Sequence, residues 1–125
     1  MNNVSEYFKS GLMNEKVVKS LMKIEDKTFI SEIMEIFENQ IPIYINEIEL
    51  AYKENNLVRI REVLHKMKGS CGTIGANGMV EIIAEIRDFI ISGNKLKMED
   101  LEDLINRLEL KFQETMKVIK ILFNI

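Results

Sequence analysis

The chain has a single histidine, His65, and the residues spaced around it at helical intervals suit it to a particular chemistry. A neutral imidazole is a competent nucleophile near neutral pH, because its unperturbed pKa is about 6.5. Arg61 and Gly69 lie one helical turn to either side, and Lys68 lies three residues on. An imidazole that takes up a phosphoryl group gains negative charge, which Lys68 and Arg61 are spaced to offset. A cation about 4 Å from a phosphoryl oxygen is worth about 4 kcal/mol at an effective dielectric of 20, and less where water enters. Gly72 continues the same stripe. A glycine inside a helix costs about 1 kcal/mol relative to alanine, so two on one face call for a reason. They would clear side chains from beside the imidazole and admit another protein's backbone. The alternative use of Gly69 and Gly72 is close helix packing, and Gly75 reads as a turn or packing glycine.

The element that positions these residues is a helix whose apolar seam is Leu57, Ile60, Leu64, Met67, Cys71 and Ile74, in alternating steps of three and four. At 100° per residue, His65 falls roughly 130° from the centre of that seam, toward solvent. Cys71 falls on the seam and reads as a small buried hydrophobe. Gly75-Ala76-Asn77-Gly78 marks a tight turn, followed by a helix through Met79, Ile82, Ile83, Ile86 and Ile90 that stops at Ser92-Gly93-Asn94. A hairpin about Asn77 sets residues some twelve before and twelve after the turn at matching height, which brings Arg87 into the window beside His65.

Upstream, Phe29, Ile33, Ile36, Phe37, Tyr44, Ile48 and Ala51 recur near helical spacing, with Pro42 expected to kink or divide that helix and Asn55-Asn56 to end it. The last helix carries Leu101, Leu104, Ile105, Leu108, Phe112, Ile119 and Leu122 after an acidic start at Glu99-Asp100, which suits its dipole. The first two dozen residues hold apolar pairs that fit one or two short helices. No stretch sustains period-two alternation. The expectation is an all-α fold: an antiparallel four-helix bundle with a short N-terminal helical extension. It would form one domain over 1–125, its bundle core at roughly 26–123.

Composition narrows the function. Seventeen basic against twenty acidic residues leave a net charge of -3, which argues against nucleic-acid binding. The cations are nevertheless concentrated around His65, where Arg59, Arg61, Lys66 and Lys68 face only Glu62. The run Ile41-Pro42-Ile43-Tyr44-Ile45 is too short to cross a bilayer, no leader pattern precedes it, and a lone cysteine gives no internal disulfide. These features lead us to expect a cytoplasmic protein without membrane insertion. No metal site is expected, since the carboxylates Glu99, Asp100, Glu102 and Asp103 have no histidine or cysteine nearby in sequence.

The run from His65 through Lys66-Met67-Lys68-Gly69-Ser70-Cys71-Gly72-Thr73-Ile74-Gly75-Ala76 resembles the signature of histidine phosphotransfer (HPt) domains. Met67 stands where leucine is more usual, and the similarity extends from about Leu21 to the end. The resemblance implies a phosphoryl carrier, not an enzyme with its own ATP site. His65 would be the phosphoacceptor, Lys68 its electrostatic partner, and Gly69 the point of access. The partners implied are the aspartate of a response-regulator receiver domain, a sensor histidine kinase, or both, in two-component phosphorelay signalling. Arg61, Gly72 and Arg87 would contribute to docking. No cofactor is expected on this chain; Mg²⁺ would sit on the receiver. A monomer is expected. The competing reading is a helical bundle that docks on a receiver or kinase without carrying phosphate, and the presence of both His65 and Lys68 argues against it. A hydrolase is weaker still, since no serine-histidine or cysteine-histidine arrangement is visible.

Overall fold

The computed structural model describes residues 4–93 and 97–125. These form helices α1 (Val4–Lys9), α2 (Glu15–Met22), α3 (Lys27–Lys53), α4 (Leu57–Ile74), α5 (Asn77–Ser92) and α6 (Met98–Phe123), with no strand among the described residues. Helix α3 packs on α4 and α6, and α5 packs on the same two, so the four long helices close into a ring. Short connections between successive helices make neighbours antiparallel. The expected four-helix bundle is the fold observed.

Local chemistry sets the helix ends. The N–H of Val17 donates to Asn14 Oδ1 (3.0 Å), that of Phe29 to Asp26 Oδ1 (3.0 Å) and that of Arg59 to Asn56 Oδ1 (3.1 Å). Each such cap is worth about 1 kcal/mol. Asn55 turns the chain at φ 57° and Asn56 caps α4, which explains why this asparagine pair separates α3 from α4. The stop Ser92-Gly93 coincides with the end of α5, with Gly93 left-handed at φ 58°; Asn94 lies outside the described residues.

Two expectations for α3 are corrected. Of the two outcomes expected at Pro42, a kink or a division, the division does not occur, and one helix spans Lys27–Lys53. The proline removes one backbone donor, but it is exposed, so the freed carbonyl can meet water, while buried Ile41 and Ile45 anchor both sides. The buried face is Ile30, Met34, Phe37, Ile41, Ile45, Ile48 and Ala51, whereas Phe29 and Ile36, read from sequence as part of the apolar face, are exposed. Helix α3 has apolar residues on more than one side, so spacing alone did not single out the inner one. At the centre of the bundle Phe37 meets Phe112 with ring centroids 5.9 Å apart.

The N-terminal segment closes one end of the bundle. Leu12, Met13 and Val18 join the hydrophobic core, the N–H of Asn14 donates to the Gly75 carbonyl (2.8 Å), and that of Gly78 donates to the Leu12 carbonyl (2.9 Å). Gly75 ends α4 in the left-handed region at φ 76°, and the N–H of Ala76 returns to the Cys71 carbonyl (2.9 Å), a Schellman closure. A Cβ on Gly75 would stand 3.1 Å from Cβ of Val17 and 3.3 Å from the Asn14 carbonyl oxygen. Gly75→Ala should therefore cost about 1–3 kcal/mol through combined backbone strain and overpacking. The test is urea denaturation, where a lowered midpoint is expected; an unchanged midpoint would show that the turn needs no glycine.

Candidate functional site

Helix α4 separates two faces. Ile60, Val63, Leu64, Met67, Cys71 and Ile74 are buried, and His65, Arg61, Lys68, Gly69 and Gly72 are exposed on the opposite side. The seam read from sequence is the buried face, with Val63 added and Leu57 only half-buried. Burial pushes the Cys71 thiol up to about 12, and its Sγ lies 4.0 Å from Sδ of Met79. A thiol so placed stays protonated near neutral pH and is a poor nucleophile.

His65 lines a groove of about 630 Å³ together with Arg61, Lys66, Lys68 and Glu62 from its own helix and Arg87 from α5. The hairpin arithmetic thus brought Arg87 to the correct height. Val58, Leu64 and Ile83 supply apolar lining. Lys68, Ile83 and Arg87 also line a second hollow, of about 220 Å³, that runs on along α5 past Val80, Ala84, Asp88 and Ile91. The sequence reading did not place Val58 or Ile83 at the site. Val58 carried a usable signal, since it stands seven residues before His65 and so on the same helix face; Ile83 did not, being a core residue that touches the groove with one edge.

The electrostatics of the groove are lopsided. Among the described residues, Arg61, Lys66, Lys68 and Arg87 take part in no ion pair or hydrogen bond, whereas Arg59 is engaged by Glu47 (3.4 Å) and Glu62 (3.5 Å). Glu62, the one acidic residue lining the groove, is therefore already partly compensated. Four uncommitted cations beside one imidazole give the groove a positive potential. No group of three or more metal-ligating side chains occurs among the described residues.

The two glycines next to His65 are open. A Cβ built on Gly69 or Gly72 meets nothing within 4 Å, which removes the helix-packing reading for both. Gly75, by contrast, is crowded by Val17 and serves the turn.

Comparison with known proteins gives the family. Residues 32–117 match the Hpt domain family, and the chain belongs to it. It is 26% identical over 98 residues to the phosphorelay protein LuxU of Vibrio vulnificus, in each of two strains, covering 78% of this chain and 85% of the relative. Its fold is similar to that of a histidine-containing phosphotransfer protein from rice, with a TM-score of 0.81 at 20% identity, covering 97% of this chain and 88% of the other. The maize histidine-containing phosphotransfer protein ZmHP2 gives a TM-score of 0.81 at 17% identity and 98% coverage of both chains. No described helix is long and apolar enough to cross a membrane.

Open space at Gly69 leads to an expected outcome. Gly69→Gln should leave stability unchanged or raise it by up to about 1 kcal/mol through helix propensity. Transfer from a protein phosphodonor should fall steeply, because the new side chain stands one turn from His65. Phosphoramidate, which needs far less room, should still label the histidine. Equal loss with both donors would remove Gly69 from the docking face.

Proposed function

We propose that this chain is a histidine-containing phosphotransfer protein that relays a phosphoryl group between His65 and the aspartate of a receiver domain. Membership in the Hpt family supports the reading. The observation that carries it is the exposed imidazole of His65 in a groove with four cations that pair with no acidic side chain among the described residues. A module that only docked could use the charge but would have no use for an exposed imidazole at its centre.

The chemistry follows from what each side provides. A ring nitrogen of His65 donates its lone pair to phosphorus as the bond from phosphorus to the receiver's carboxylate oxygen breaks, roughly in line. The carboxylate leaves as such, and the ring proton on the other nitrogen passes to water or stays, depending on pH. Lys68, and Arg61 and Arg87 at greater reach, offset the charge on the phosphoryl oxygens. Gly69 and Gly72 let the receiver's loops approach. The receiver supplies Mg²⁺ and the acidic pocket around it, and this chain supplies the nucleophile, the counter-charge and the open face. The reverse step uses the same contacts, since a phosphoimidazole is itself a reactive donor. The chain hydrolyses no ATP; it acts as an acceptor and donor, and its partners are a receiver, a sensor kinase, or both.

The test is transfer of label from a phosphorylated receiver. The wild-type chain should take up one acid-labile, alkali-stable phosphoryl group, and His65→Gln should take up none while keeping its helicity. Label persisting in that variant would overturn the assignment. Lys68→Ala should slow transfer or shorten the lifetime of the phosphohistidine without unfolding the bundle, with Arg61→Ala and Arg87→Ala weaker. Unchanged transfer and lifetime in Lys68→Ala would take that lysine out of the site.

A further inference from the structure

Helix α3 carries a second apolar surface. Phe29, Ile36, Ile43 and Leu50 recur every seven residues, and they are 48%, 62%, 59% and 56% exposed. Large aliphatic side chains are expected singly on a surface, and four in register are not. At 100° per residue each member drifts about 20° from the last, so the four line one side of α3 over about 30 Å, with Glu32, Asn39 and Asn46 between them. It lies on the far side of α3 from the buried face that runs from Ile30 to Ala51. No α3 residue lines the His65 groove, so the stripe is separate from it.

The seven-residue period and the charges around the stripe indicate what fits it. A partner helix wound left-handed about α3 stays in contact with a seven-residue repeat along its whole length, which a flat or irregular surface does not. Between Lys27 and Lys53, α3 carries five glutamates and no cation. Glu38 is taken by Lys120 (2.9 Å) and Glu47 by Arg59 (3.4 Å), while Glu32, Glu35 and Glu49 have no partner among the described residues. Glu32 sits on the stripe itself, between Phe29 and Ile36. A second copy of the chain is a poor occupant. The antiparallel pairing that sets Ile36 against Ile43 of the other copy also sets Glu32 against Glu47, and a parallel one sets Glu32 against itself. An anionic membrane surface is repelled for the same reason.

We propose that the outer face of α3 is a second docking surface, one that takes an amphipathic partner helix with lysine or arginine beside an apolar ridge of seven-residue period. A partner held there leaves His65 open, so it could tether the phosphoryl carrier without competing for the transfer face.

The test uses the full chain and a fluorescent synthetic helix of four heptads, with leucine on the ridge and lysine on both flanks. Binding by anisotropy is expected, weakened by added salt. About tenfold or greater loss is expected with a glutamate-flanked peptide, and again with the double variant Ile36→Asp/Ile43→Asp. Because both side chains are exposed, the variant should retain its helicity; Ile36→Ser/Ile43→Ser serves as an uncharged second variant with the same expected loss. Label transfer from a receiver to His65, measured without the peptide, should be unchanged in both variants. Equal binding of the two peptides, or binding that survives both double variants, would overturn the proposal. So would self-association of the wild-type chain that the variants abolish, since the stripe would then belong to a second copy. Loss of transfer in the variants would assign the stripe to the receiver instead. Failure of the wild-type chain to accept label at all would count against His65 and leave the peptide result standing.

Discussion

The structure depends on the burial of one stripe of α4. Ile60, Val63, Leu64, Met67, Cys71 and Ile74 are all within about 1% of complete burial, held by α3 on one side and α5 on the other. Burying each of the large ones contributes roughly 1.5–3 kcal/mol, so turning the helix by one residue would expose most of that area. The rotation of α4 is therefore fixed, and with it the direction of every residue on the opposite face. The backbone of His65 is held by the hydrogen bonds of α4 itself and needs no side-chain scaffold. The same burial absorbs the cost of Gly69 and Gly72, two poor helix formers on the exposed face.

The division of labour between protein and partner follows from that presentation. Among the described residues the groove holds an imidazole, four cations and one carboxylate, Glu62, which is paired with Arg59, and no cluster of three metal-ligating side chains. Such a surface can receive and hold a phosphoryl group but does little to activate one. Activation falls to the partner. In the proposed transfer the uncommitted cations would offset the charge on the phosphoryl group, and the open glycine face would admit the partner's catalytic residues to the imidazole.

How much was legible in the sequence depended on how one-sided each helix is. Helix α4 has apolar residues on one face and charges on the other, so its seam and the exposure of His65 could be read, whereas Gly69 and Gly72 stayed open to a packing role until the structure showed free space around them. Arg87 was reachable because the turn between α4 and α5 is tight, with α4 ending at Ile74 and α5 starting at Asn77, so residues can be counted outward from it. Helix α3 was not legible in the same way. Two apolar series coexist in it, one buried and one exposed, and only packing against α4 and α6 decides between them. Pro42 read as an interruption because the rule concerns local hydrogen bonding, whereas tertiary anchoring by Ile41 and Ile45 holds the helix together. The part played by Leu12 and Met13 was hidden because they lie between two short helices, where no periodicity marks a residue as buried.

The most direct test of the central claim is phosphorus NMR of the intact chain after incubation with a phosphorylated receiver and Mg²⁺. The account predicts a single new resonance in the phosphoramidate range, with correlated shifts confined to the ring of the one histidine and to neighbouring residues of α4 and α5. A resonance in the acyl phosphate or phosphoester range, or none while the receiver loses its phosphoryl group to water, would contradict it.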